Sequence, residues 1–269
     1  MVSAAELRAM LAADHVTHVP GVYDPASAAL AVRAGHRAVH LSGAAVSATM
    51  LGRPDLGFTP ATQIADRASV LVPALDGVQL LADAAIGYDS PQHAVWTALA
   101  YQRAGISGLL LDDCDDVRLA GARIAALTEQ APQLMLVAQA GGHSLAETIE
   151  RCRAYARAGA DAVLPAGAPE GDLGRLRVLL PGVPLVISRS ESATGGSYLA
   201  DAELADLGVR LVLHPLAAVL AALRAASLAY RAIADEGHAT RVDRMPLAVV
   251  GTLIERPGLT GPETDTIET

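Results

Sequence analysis

Carboxylates, hydroxyls and histidines recur in this chain at one kind of place, where a short apolar run stops and a loop begins. The stops read Ser42-Gly43, Asp83, Asp112-Asp113, Gln139, Ser188-Arg189-Ser190-Glu191 and His214. Asp83 and Asp112 have the chemistry to hold a hard divalent cation, since Mg²⁺ takes one or two protein carboxylates and completes its shell with water. Either also suits the stabilisation of charge on an oxyanion site. Histidine is the side chain that moves protons near neutral pH. His143, in Gly141-Gly-His-Ser144, and His214 are the candidates for that work, and Asp55, after Pro54, is a further candidate carboxylate.

These residues need elements to gather them. Candidate strands are His15–Pro20, Ala38–Leu41, Gln79–Ala82, Gly108–Leu111, Leu134–Ala138, Ala162–Leu164, Leu185–Ile187 and Arg210–Leu213. Between them lie Ala-rich helical stretches such as Pro25–Ala34, Pro91–Ala104, Leu145–Ala158 and Asp201–Leu207. Strands alternating with helices pair in parallel through right-handed crossovers. Eight such units predict a (β/α)8 TIM-type barrel over residues 1–235, with an open doubly wound sheet as the alternative. A barrel brings the C-terminal ends of its strands to one mouth, where catalysis sits. Arg33-Ala-Gly35, Arg103-Ala-Gly105 and Arg157-Ala-Gly159 read as helix C-caps, a basic last turn followed by a glycine free to take positive φ. Residues 236–269 form a C-terminal helical extension, an amphipathic helix over Arg241–Leu253 and a polar tail, expected to pack on a partner subunit.

Composition narrows the class. Hydrophobic residues make up 52% of the 269 and aromatics only 3%, so the core is built from Ala, Val, Leu and Ile, which disfavours an all-β fold. A net charge of −9 leaves no basic stripe for phosphates and argues against nucleic acid. No apolar run is expected to span a bilayer, and the charged N-terminus reads as an amphipathic helix, so no membrane role and a cytoplasmic location are expected. Cys114 and Cys152 cannot make a disulfide framework.

Six segments, in order, resemble the isocitrate lyase and phosphoenolpyruvate mutase superfamily. Gly21–Ala28 resembles its GxxDxxSA turn, and His40–Ala45 its substrate loop, with histidine where the family has tyrosine. Leu51–Gly57 is similar to LGxPDxG and Asp83–Tyr88 to DADxGYG. Glu150–Asp161 and Glu203–Leu216 resemble its helix-to-strand segments, the second with His214 in place of a tyrosine. The resemblance implies a lyase-like enzyme acting on a small 2-oxo acid or carboxylate through an enolate, by C–C bond cleavage or formation. It implies Mg²⁺ at Asp83 and Asp112 and no organic cofactor, and a homodimer or homotetramer that exchanges C-terminal helices. It places substrate-binding groups at His40, Ser42, Gly43, Ala44, Gln139, Ser188 and Glu191, and catalytic groups at Asp83 and Asp55; His143 and His214 are the catalytic candidates read from the residues themselves.

The departures bear on that chemistry. Ala85 stands where the second aspartate of DADxG would be, Asp112 replaces a glutamate, Gln139 replaces an arginine, and Ser188 replaces an asparagine. The family's mobile loop of Lys, Cys and His is missing after Cys114. Losing the arginine removes a bidentate carboxylate clamp that glutamine cannot reproduce, and the metal site is expected to be weakened. Bland readings stay open beside these: Asp83 as a loop cap, Asp55 in an Asx turn, the Asp112–Asp116 cluster as a solvated helix cap, Ser144 with Glu147 as a capping box, and His214 as structural. Two further readings of the whole chain also stay open, a metal-independent barrel repurposed for a rearrangement or cyclisation, and a non-catalytic binding barrel.

Overall fold

The computed structural model describes residues 4–54, 59–84, 90–113, 116–189 and 198–254. Its eight strands are β1 (Thr17–Pro20), β2 (Ala38–Leu41), β3 (Gln79–Asp83), β4 (Gly108–Asp112), β5 (Met135–Ala140), β6 (Ala162–Pro165), β7 (Leu185–Ser188) and β8 (Val209–His214). All pair in parallel, in the order β1-β8-β7-β6-β5-β4-β3-β2. A bridge from Gly21 to His40 closes the ring between its two ends. There the Val22 N–H donates to the His40 carbonyl at 2.9 Å and the Gly21 N–H to the His214 carbonyl at 2.8 Å. Gly21 suits the closure because a Cβ at that point would run into the Pro215 carbonyl. The expected barrel is the observed one; the open sheet is not.

Period-two alternation divides the strand residues between two cores. Val19, Ala38, Leu81, Leu110, Val137, Leu164, Val186, Leu211 and Leu213 fill the barrel interior. Their neighbours Val39, Leu80, Leu109, Leu136, Val163 and Val212 pack outward against the helices. Helix α1 (Ala4–Ala12) joins the interior set through Leu7, Met10 and Leu11. Its Arg8 donates to Asp161 at 2.8 Å and to the carbonyls of Pro132 and Leu134, which fixes α1 across the end of the barrel opposite the strand C-termini.

The outer helices are α2 (Pro25–Arg33), the short α3 (Gly43–Val46) running into a π-helical turn (Ser47–Leu51), α4 (Ala61–Leu71), α5 (Pro91–Arg103), α6 (Val117–Gln130), α7 (Leu145–Ala158), α8 (Leu173–Leu179) and α9 (Asp201–Asp206). The three Arg-Ala-Gly segments end helices as expected, Gly35, Gly105 and Gly159 all taking positive φ. After β8 comes α10 (Ala217–Glu236), and then α11 (Leu247–Ile254). The helix expected from Arg241 starts only at Leu247, past Pro246, because a proline disfavours helical backbone at the residue before it. Over its 20 residues α10 buries only Val219, leaving Leu220, Leu223, Leu228, Tyr230 and Ile233 exposed. By length and composition α10 is also long and apolar enough to cross a membrane, which corrects the expectation that no such run exists. Its arginines, Arg224 and Arg231, interrupt the run without making it polar on average.

Candidate active site at the barrel mouth

Parity decides which strand-end residues reach the mouth. His40 shares its face with Ala38, Asp83 with Leu81, Asp112 with Leu110, Gln139 with Val137 and Ser188 with Val186, so all five turn inward. Asp83 is the hub. Its Oδ1 meets His40 Nε2 at 2.7 Å and its Oδ2 accepts from the Gly43 N–H at 2.7 Å. This bond holds the turn after β2 against the end of β3. Because the carboxylate accepts, the proton of the neutral imidazole sits on Nε2, and His40 Nδ1 is buried without a hydrogen-bond partner. The Tyr101 hydroxyl on α5 donates to the Asp83 carbonyl at 3.2 Å and steadies the strand end from outside.

The next strand repeats the arrangement with a different donor, the Gln139 carboxamide Nε2 donating to Asp112 Oδ2 at 2.6 Å. Ser42 caps α3, its Oγ accepting from the Ala44 N–H at 3.2 Å. The backbone donors of Gly43 and Ala44, expected to grip a substrate, thus hold the chain's own oxygens. Both Asp55 and Glu191 lie outside the described residues.

His143 and His214 do not join this group. His214 follows the inward Leu213 and so faces outward. There its Nε2 meets His18 Nδ1 at 2.9 Å, and His18 Nε2 meets the Asp201 carboxylate at 3.0 Å. His143 is exposed on the loop after β5, and its N–H donates to Glu147 Oε2 at 2.9 Å. The capping reading of Ser144 holds, its Oγ accepting from the Glu147 N–H. Glu147 bonds the residue before the cap instead of closing a capping box.

One cluster escaped the sequence reading. Asp113 faces the helix layer and is buried, accepting from Arg151 Nη1 at 3.0 Å and from the Tyr155 hydroxyl at 2.7 Å. Arg151 Nη2 also reaches Glu147 Oε1 at 2.6 Å. The signal was present: Glu147, Arg151 and Tyr155 recur every fourth residue and share one face of α7. Bonds to Asp113 and then Glu147 hold the Arg151 guanidinium charged well above its usual range. Burial, followed by the bond to Asp113, drives the Tyr155 phenol up. The bond from Arg151, then the His143 N–H, pulls Glu147 below the usual carboxylate value. Cys152, packed beside them, is pushed up to about 12, by burial first and then by the Asp113 charge.

The donor set of the described residues does not fit a resident divalent ion. Among the described residues no three His, Cys, Asp or Glu side chains are grouped to hold one. Both oxygens of Asp83 already accept from nitrogen donors, Asp112 accepts from Gln139, and Ala85 supplies no ligand.

Similarity to known proteins follows the same geometry. The profile of the phosphoenolpyruvate phosphomutase family matches residues 7–234. The 2-methylisocitrate lyase of Bacillus subtilis is 31% identical over 252 residues, covering 87% of this chain and 82% of that protein. The 2,3-dimethylmalate lyase of Eubacterium barkeri is 30% identical, covering 84% of each. An oxaloacetate acetylhydrolase solved with its product oxalate superposes with a TM-score of 0.86 at 25% identity, covering 94% of this chain and 93% of that one. An inward carboxylate on β3 beside the turn after β2, in a barrel matched almost end to end, leads to one conclusion. The chain belongs to the phosphoenolpyruvate phosphomutase family, within a superfamily of C–C lyases and mutases.

Proposed function

We propose that this chain is a lyase-like enzyme that makes or breaks a carbon–carbon bond next to the carbonyl of a small 2-oxo acid, through an enolate. The carrying observation is the Asp83–His40 pair: a carboxylate fixes one imidazole nitrogen at 2.7 Å and leaves the other, Nδ1, buried without a hydrogen-bond partner. In that arrangement Nδ1 takes a proton, and Asp83 orients the ring and stabilises the imidazolium that forms. In the cleavage direction His40 removes a substrate hydroxyl proton, and that oxygen becomes the carbonyl of one product as the adjacent carbon–carbon bond breaks. The bond's electron pair passes into the neighbouring carbonyl or carboxylate to give the enolate, and the proton returns from the His40 imidazolium to carbon to give the second product; one of the two products is the 2-oxo acid. Gln139, held by Asp112, and Ser188 supply neutral polar contacts to the carbonyl end. No step is assigned to Mg²⁺, because the donor set of the described residues does not fit one.

The test is proton NMR of pyruvate in heavy water with the purified protein. Enolate formation exchanges the methyl protons for deuterium. Lack of both exchange and cleavage, with pyruvate, oxaloacetate and 2,3-dimethylmalate all tried, would sink the reading in favour of a binding barrel.

A second copy of the chain is proposed as the cover for α10. The support is the row of exposed apolar residues from Leu220 to Ile233 on a helix with one buried side chain.

A further inference from the structure

Among the described residues, four donors placed to grip an anion at this mouth already hold the chain's own oxygens. The Gly43 N–H and the His40 imidazole are on Asp83, the Ala44 N–H is on Ser42 Oγ, and the Gln139 amide is on Asp112. The two inward carboxylates therefore act as built-in anions. Compensating positive charge is scarce. All 20 basic residues of the Lys and Arg class are arginine, and no inward-facing residue of the eight strands is one of them. Arg151 is paired with Asp113 and Glu147, and Arg189 with Glu170; Arg53 and Arg118 are exposed. By sequence, the stretches 55–58, 85–89, 114–115 and 190–197 contain no Lys, Arg or His.

We infer that this mouth selects a 2-oxo acid with a single carboxylate and a neutral or cationic far end, and that Gln139 and Asp112 set this choice against dianions. The inference rests on the 2-oxo acid reading above and narrows it. A dianion would bring a second negative charge up to the inward carboxylates of Asp83 and Asp112, where like charges repel strongly. A carboxamide end, by contrast, donates to Asp112 as Gln139 does, and its carbonyl accepts from the Gln139 amide.

The test compares oxalate with oxamate, the same skeleton with one carboxylate replaced by a carboxamide, by calorimetric titration of the full chain with chelator and again with Mg²⁺. The expected result is oxamate tighter by about tenfold or more in both buffers. In Gln139→Arg, where a guanidinium can pair with Asp112 and clamp a carboxylate, the order reverses. In Asp112→Asn, which removes one charge and keeps the shape, oxalate gains about tenfold and oxamate changes by less than about threefold. Oxalate binding as tightly as oxamate to the unaltered chain, in either buffer, overturns the inference and leaves the 2-oxo acid reading standing. A preference for oxamate that neither variant alters overturns the assignment to Gln139 and Asp112. Failure of both compounds to bind the unaltered chain and both variants removes the 2-oxo acid reading itself. Should Gln139→Arg not fold by circular dichroism, the unaltered chain and Asp112→Asn decide.

Discussion

Asp113 and Arg151 meet at 3.0 Å between β4 and α7, both side chains almost wholly buried, while the adjacent Asp112 turns the other way into the mouth. Successive strand residues face opposite sides, so the ion pair that fixes Asp113 outward also fixes Asp112 inward. Truncating one member of a buried pair leaves the other charge unmet, at a typical cost of about 3–5 kcal/mol. Arg151→Met should therefore lower stability in urea unfolding by that amount. Adding Asp113→Asn should recover much of the loss, and strictly additive losses would show that the two groups are not coupled.

His40 is predicted to carry the proton transfer, so His40→Phe should fold and yet lose solvent exchange into pyruvate by about 10²–10⁴-fold, the usual contribution of a positioned acid or base. Asp83→Asn removes the acceptor that sets the tautomer and should fall into the same range. Exchange retained within about threefold in either variant contradicts the role given to the pair. His143→Ala and His214→Ala should leave the rate nearly unchanged, since neither side chain is placed with the inward group.

Removing divalent ions should leave the protein unaffected. The melting temperature and oxamate binding measured in chelator should match those in Mg²⁺. A large upward shift in melting temperature with Mg²⁺ would mean that the ion finds ligands beyond Asp83 and Asp112.

Gly21 closes the ring where a side chain would press on the Pro215 carbonyl. Gly21→Ala forces backbone apart at the junction of β1, β2 and β8, and overpacking of this kind costs about 1–3 kcal/mol. Thermal unfolding of the variant should show the loss, whereas Gly121→Ala, with nothing near its added carbon and a helical position, should be neutral or stabilising.

Cys152 and Tyr155 both keep their protons to higher pH folded than unfolded. Above the ordinary thiol value of 9.0 the unfolded chain loses protons that the folded chain retains, so stability falls as pH rises from there toward about 12. Urea midpoints measured from pH 8 upward should decline. Cys152→Ala and Tyr155→Phe should each flatten the decline, and a midpoint rising with alkali would contradict the assignment. Native Cys152 should also resist alkylation at neutral pH, because the neutral thiol is a poor nucleophile.

Much of the frame was readable from the chain, for physical reasons that differ by element. Ala38–Leu41 and Leu145–Ala158 match the observed bounds residue for residue, because each is bracketed by turn or cap chemistry. Asp83, Asp112, Gln139 and Ser188 could be placed at the mouth once strands were recognised, since parity and chain direction settle it. His214 ends β8 in the same way, but it follows the inward Leu213 and so turns outward, and the run Leu211-Val-Leu213, apolar throughout, does not show which face is which. The Asp113–Arg151–Tyr155 cluster joins residues about forty apart, and a single sequence does not say which neighbour a helix face meets. That Gly43 and Ala44 would spend their N–H groups internally depends on side-chain rotamers, which no pattern of residue types encodes.

Leu7, Met10 and Leu11 of α1 stopper the floor of the barrel, and the apolar residues above them leave no passage through the middle. Among the described residues, that end of the barrel is filled. A reaction that splits a molecule in two must send both pieces back along the way the parent entered, so the fragment nearer the rim has to depart before the deeper one can follow.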